Sequence, residues 1–488
     1  MEDLTKYAVE SALAAGASYA DARYVRRVVE RVETTNGVVE GITASESRGL
    51  GVRVIAEGAW GFACNSLLTP EGARQTAELA VRIAKASATT KDHDVELAPV
   101  EPAADSARTG YRKDPFEVPL EERIALLLDC DQHMAQVGQL AVREGYLSAF
   151  RETKHFASSE GASIAQERTE TGGMISATAA RGETQQRSYP GGHGGQVATR
   201  GWELIEELDL PGHAEELAEE ATALLDAPHC PEEELDIILE GGQLALQLHE
   251  SCGHPIELDR VLGTEASYAG MSFLTPEKLG SFRYGSEQVN VTADATLEGG
   301  LGSFAYDDEG VPAQRTPIVE EGIFRGYLSS RETAAQQQLP GGSSGAMRAD
   351  GWSRVPIIRM TNVNLEPGDW TLDEIIKDTK HGLLLRVNTS WSIDDHRLNF
   401  QFGTEIGYVI EDGAIVGIVR NPTYTGITPQ FWGSCDAVAG EGEWVIWGVP
   451  NCGKGEPGQS AHVGHGVSAA RFRNVRAGVL RERPAGGE

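Results

Sequence analysis

Cysteine is scarce and unpatterned in this sequence. Cys64, Cys130, Cys230, Cys252, Cys435 and Cys452 are scattered over 488 residues without CxxC spacing, which excludes a disulfide framework and a zinc ribbon. Long apolar runs are missing as well, since no 18 consecutive apolar residues occur, so no membrane span is expected. Positive charge is in short supply: 42 Lys and Arg face 73 Asp and Glu, for a formal net charge of −31. That excludes nucleic-acid backbones and anionic membranes as main partners. The first residues, MEDLTKYAVESALAAG, are acidic and amphipathic, whereas a secretory signal needs a basic start and a longer apolar block. A cytoplasmic protein is expected. Low-complexity tracts and internal repeats are absent too.

What is present belongs to a folded chain of more than one core. The composition, 40% hydrophobic and 24% charged, is ordinary for a globular protein, and the length calls for two or three domains. Residues up to about 15 read as a helix. YADARYVRRVVERVE (19–33) alternates like a strand, and Asn36-Gly37 is a hairpin turn between β-branched runs. Short strands are expected at 38–42 and 50–55, and helices at 69–87 and 120–137. Residues 88–116 read as loop, and short strands alternating with turns are expected over 139–188. An acidic helix over 203–225 is broken near Pro211-Gly212. His193 stands in the glycine-rich loop 189–195 and reads as an ordinary loop residue. Beyond residue 267 turn signals recur every 8–12 residues or so, as in a large sheet or barrel, with a short helix at 372–378. The fold class is therefore α+β. An N-terminal α/β domain with an antiparallel sheet and helices (1–228) precedes a β-rich C-terminal catalytic domain (229–480) and a tail (481–488).

The chemistry is concentrated in LDIILEGGQLALQLHESCGHPIELDR (235–260). A buried strand, a Gly-Gly turn and a helix lead into His249-Glu250 and then His254. Two imidazoles with a carboxylate beside the first are what a hydrolytic zinc site needs. The rings hold the metal, and the glutamate takes a proton from the attacking water. Five-residue spacing, however, turns the second ring by about 140° from the first on a straight helix. Both can face one metal only if the helix widens to an i→i+5 turn or ends there, and Gly253 and Pro255 favour such a disruption. The plainer reading is a buried, hydrogen-bonded histidine pair at a helix end. A catalytic zinc also needs a third protein ligand. Cys452, His462, His465 and an acidic residue compete for that place, with Lys454 near enough in sequence to favour a Cys452 thiolate.

HESCGH (249–254), NCGKGEPGQ (451–459) and NGVVEGITASESRGLGVRVIAEGAWGFA (36–63) together resemble the TldD/PmbA family of metalloproteases, from the first helix to about Gly478. TldD-type members carry HExxxH plus a late CGK cysteine, and their PmbA/TldE-type relatives lack the metal motif. This chain resembles the metal-bearing type. The resemblance implies zinc held by His249, His254 and Cys452, with Glu250 as general base. It leaves Cys252, His462 and His465 without a role. It further implies a peptide or unfolded protein substrate held extended in an enclosed cavity of a dimer, either a homodimer or a heterodimer with a metal-free family member. A thiolate ligand makes the zinc a weaker Lewis acid, so turnover is expected to be modest unless other groups stabilise the oxyanion. Arg348, Arg354, Arg359 and Arg397 are available, but sequence cannot aim them. The competing readings are a narrow maturation hydrolase for one modified peptide and a non-catalytic scaffold with structural zinc.

Overall fold

The structure, a computed structural model, describes residues 1–138, 140–267 and 270–478. The expected tail at 481–488 lies outside the described residues, as do 479–480. The fold is α+β. Its first half is an eight-stranded sheet whose main path runs Ala59–Asn65, Val38–Ala56, Tyr19–Thr35, Leu140–Ser158, Ser163–Ala180, Ala104–Arg108. All these pairings are antiparallel except the last.

The alternation in Tyr19–Thr35 explains how this sheet is used. Ala20, Ala22 and Tyr24 face a core shared with the helices Glu2–Ala14 and Pro70–Ser87. Val32 faces a second core with Leu120–Ala135 and Leu210–Ala223. Side chains of opposite parity turn to the other half of the molecule as buried ions. Arg23 meets Asp308 at 3.1 Å, and Arg53 joins Asp21 at 2.7 Å to Glu309 at 3.2 Å. Removing one member of such a pair strands the other charge, at a cost of about 3–5 kcal/mol. The two halves are thus registered by buried charge pairs.

The hairpin turn falls at Asn36 and Gly37, with φ of 49° and 77°, the positive pair a two-residue turn of this kind requires. Three expectations are corrected here. Residues 38–42 and 50–55 belong to one strand, Val38–Ala56, which stays paired through the exposed stretch Ser45–Ser47. With both faces of that stretch in water there is no apolar alternation to read. The short strands expected over 139–188 include two long ones, Leu140–Ser158 and Ser163–Ala180. Gly172-Gly173 lies mid-strand, where Gln196–Ala198 pairs so closely that a Cβ on Gly172 would sit 2.8 Å from the Gln196 carbonyl oxygen. The stretch expected to be loop contains the strand Ala104–Arg108 and a short 3-10 turn, Pro115–Glu117. The acidic helix breaks at Asp209, φ 45°, just ahead of Pro211.

In the second half, the strands His381–Ile393, Glu234–Leu239, Ala470–Ala477, Thr423–Ile427 and Asn399–Glu411 pair in that order. The first and last also pair with each other, closing a five-stranded ring. Ile237 and Leu239 face the core that holds Leu244, Leu246 and Leu248 of the helix Gly241–Leu248. Ile238 faces the opposite way, onto Ile375 of the helix Leu372–Asp378. A separate hairpin, Val445–Lys454 with Gln459–Val467, lies outside the ring. Among the described residues no helix is long and apolar enough to cross a membrane.

Candidate metal centre

The strand Glu234–Leu239 delivers the chain to Gly241, whose φ of 52° suits glycine. Gly242 follows, packed so tightly that a Cβ would lie 2.0 Å from the Gly191 carbonyl oxygen. Buried polar contacts seat the helix. The Tyr424 hydroxyl accepts from Gln243 Nε2 at 2.7 Å and donates to Gln247 Oε1 at 2.8 Å, while Trp432 Nε1 donates to Ser251 Oγ at 2.9 Å. At His249 the α-helix widens into one π turn, His249–Gly253, closed by the His254 N–H donating to the His249 carbonyl at 3.1 Å. The five-residue spacing is met in this way: one wide turn brings the two rings within 4.9 Å, centroid to centroid.

The hairpin supplies the third group. Cys452 pairs with Ala461 across it. One nitrogen from each of His249 and His254 and the Cys452 sulfur lie within 4.8 Å of one another, all three side chains buried. Cys452 Sγ is 3.9 Å from His254 Nε2. Tetrahedral zinc, at about 2.0–2.3 Å from each ligand, sets ligand atoms about 3.3–3.8 Å apart, so the cluster needs only a small closure. Two imidazoles and a thiolate are a donor set suited to zinc.

Hydrogen bonds behind the rings fix which nitrogen is free. The Val363 carbonyl can only accept, so His465 Nδ1 donates to it at 2.9 Å. His465 Nε2 then accepts from His249 Nδ1 at 2.8 Å, leaving the lone pair of His249 on Nε2. Glu257 accepts from His254 Nδ1 at 2.9 Å and leaves that ring's lone pair on Nε2 as well. Both orphan lone pairs belong to the cluster, the arrangement metal-binding histidines need. Burial keeps the rings neutral: it pulls His249 below the usual imidazole range, and His254 and His465 well below it. Burial pushes the Cys452 thiol up, but the charge of the Arg359 guanidinium draws it the other way, and its pKa falls below that of a free thiol.

Lys454 was expected beside the Cys452 thiolate; it lies elsewhere. Its ammonium sits 2.6 Å from Asp259 and 3.5 Å from Glu257, so it supports the carboxylate that holds His254. Of the other third-ligand candidates, His465 stands one layer behind His249, and His462 pairs with Glu170 at 2.5 Å. The hairpin separates them, because pairing Cys452 with Ala461 puts 461, 463 and 465 on one face and 462 on the other. Cys252 is buried, and its thiol is pushed up to about 12 by burial. Glu250 is 6% exposed and bonds Arg397 Nη1 through Oε2 at 2.5 Å. Burial pulls Arg397 down from the usual guanidinium range. His193, read from sequence as an ordinary loop residue, is half-buried and stacks edge-on against Trp391 at 5.1 Å. Sequence reasoning missed Glu257 and Asp259, and named Arg359 without aiming it. Only Glu257, three residues after His254, left a signal that could have been read.

Profiles described as PmbA/TldA metallopeptidase domain 1, central domain and C-terminal domain match residues 20–84, 113–225 and 232–480. A metalloprotease of Methanocaldococcus jannaschii is 31% identical over 95% of this chain and 97% of its own length. One of Methanothermobacter thermautotrophicus is 30% identical over 94% and 95%. The crystal structure of TldE from Thermococcus kodakarensis superposes with a TM-score of 0.70 at 17% identity, covering 98% of this chain and all of that one. With a C-terminal profile spanning half the sequence around the two histidines and the cysteine, and relatives aligned almost end to end, the chain belongs to the PmbA/TldD metallopeptidase family.

Proposed function

We propose that the chain is a zinc-dependent peptidase acting on unfolded or extended peptides and small proteins. In this reading His249, His254 and Cys452 hold the metal and Glu250 is the general base. The observation that carries it is the convergence of two imidazole lone pairs, already aimed by Val363, His465 and Glu257, on a depressed-pKa thiol. Bound there, zinc would supply a Lewis acid for the peptide carbonyl and lower the pKa of the attacking water toward about 7. Glu250 takes the proton from that water and returns it to the leaving amine. Burial of Glu250 and its neighbours excludes bulk water from the proton's path. Relatives named metalloproteases support the reaction class, and one from Saccharolobus solfataricus named a zinc metalloprotease, 26% identical over half of this chain, supports the metal. We also infer a dimer, of two such chains or with a metal-free relative, to be read by light scattering.

The test is elemental analysis of wild type, His249→Ala and Glu250→Gln, with cleavage of an unstructured peptide measured in parallel. One zinc per chain is expected in wild type and Glu250→Gln, and none in His249→Ala. Cleavage is expected in wild type only. Unchanged cleavage by Glu250→Gln would overturn the assignment of the base. Zinc without cleavage in wild type would favour the scaffold reading, and cleavage of a single modified peptide among many would favour the narrow maturation hydrolase.

A further inference from the structure

Arg348, Arg354, Arg359 and Arg397 have separate fates. Arg348 is spent on the carbonyls of His462, at 2.7 Å, and Met360. Arg359 is spent on the carbonyls of Gln459, at 3.2 Å, and Cys452. Arg354 accepts from Arg23 Nη2 through its carbonyl at 2.8 Å. Of the four, Arg397 is the one that meets Glu250, at 2.5 Å.

Its position is built in advance. Arg397 has φ of 63°, a left-handed conformation that a side chain this size adopts only where the surroundings over-determine it. They do so here. Its N–H donates to the Asp394 carbonyl at 2.9 Å, the Asp394 carboxylate accepts from the N–H groups of Leu398 and Asn399 at 2.9 and 3.0 Å, and Thr428 Oγ1 donates to the Arg397 carbonyl at 2.7 Å. Two further backbone bonds, from Met271 and Phe273 to the carbonyls of Asp395 and His396, brace the same turn. One end of the guanidinium is on Glu250, yet Nε is buried without a hydrogen-bond partner. A buried donor left without an acceptor, on a cation that already meets Glu250, is a hydrogen bond that the resting site leaves unmade.

We propose that Arg397 is a catalytic residue that donates to the scissile carbonyl oxygen as it becomes an oxyanion, a role that rests on the peptidase reading above. The water oxygen adds to the carbonyl carbon, the C=O π pair moves onto the carbonyl oxygen, and the water proton goes to Glu250. One negative charge leaves the carboxylate and appears on the substrate, and the guanidinium that balanced the first is placed to balance the second. On collapse the C–N bond breaks, the nitrogen takes the proton from Glu250, and Arg397 is returned to its carboxylate. Such a contact is stronger in the transition state than in the ground state, the requirement for accelerating the chemical step.

The test compares wild type, Arg397→Gln and Arg397→Lys, each loaded with zinc. It reads zinc per chain, kcat and KM on a fluorogenic peptide, and affinity for a phosphinic peptide of the same sequence, which mimics the tetrahedral oxyanion. We expect zinc content and KM to hold while kcat falls about 10²–10³-fold in Arg397→Gln. Phosphinate affinity is expected to fall in parallel and to recover partly in Arg397→Lys. A kcat within about threefold of wild type overturns the role. So does a lost kcat with unchanged phosphinate affinity, which would make Arg397 a prop for Glu250, and so does loss of zinc from both variants. Wild type that cleaves no peptide sinks the peptidase reading itself, whereas wild type that cleaves beside an unimpaired Arg397→Gln sinks only this proposal.

Discussion

His465 Nε2 lies 2.8 Å from His249 Nδ1, although 216 residues separate them in the chain. The bond runs on to the Val363 carbonyl, so one backbone oxygen sets the tautomer of both rings. Replacing His465 with Phe frees His249 to rotate and to protonate at either nitrogen. Zinc affinity, measured by competition with a chromogenic chelator, is expected to fall about 10–100-fold. His462→Ala, which breaks the pairing with Glu170 and the ring contact with Phe150 at 4.8 Å, should leave that affinity at the wild-type value.

Cys452 and Cys435 are both buried thiols of the same half, yet only the first is in the cluster. Cys452→Ser should lose the metal on dialysis, because a neutral hydroxyl is a poor zinc ligand beside a thiolate. Cys435→Ser should keep it. Equal retention in the two variants, read by elemental analysis, would remove Cys452 from the ligand set.

The Tyr424 hydroxyl is fully buried between Gln243 and Gln247 and ties the motif helix to the ring. Tyr424→Phe leaves Gln247 Oε1 without its donor, at an expected cost of about 1–3 kcal/mol. The shift should be visible in urea denaturation followed by tryptophan fluorescence, since Trp432 is seated on Ser251 of the following turn.

Burial pushes the thiols of Cys130, Cys252 and Cys435 up to about 12. A raised pKa keeps each as the thiol below that value, so at about pH 8 the thiolate that alkylating reagents need is nearly absent. Iodoacetamide under native conditions should modify exposed Cys64 and spare these three, as peptide mass mapping would show. Their reactivity should appear only on unfolding.

The legible parts of the molecule are those governed by local geometry. The α+β class followed from strand alternation and helix periods, and Asn36-Gly37 marked its hairpin because few residues tolerate two positive φ values in succession. The widened turn at His249 was readable because a five-residue spacing has few ways to bring two rings together. Cys452 could not be chosen over His462 and His465 from residues alone, since the choice depends on hairpin register. Lys454 was misplaced because adjacency in sequence does not tell a long side chain which charge to meet, and it reaches Asp259 across 195 residues of chain. Arg397 was unaimed for the same reason: its direction comes from a turn braced by Met271, Phe273 and Thr428, none of them its sequence neighbours.

The two histidines and the cysteine of the cluster come from the motif helix and from a hairpin that begins at Val445. A nascent chain that has emerged through His254 carries both imidazoles and Glu250 but neither Cys452 nor His465. For most of the time a ribosome spends making this protein, the emerging polypeptide cannot assemble the centre at all. An incomplete translation product therefore lacks the arm of the cluster that the hairpin supplies.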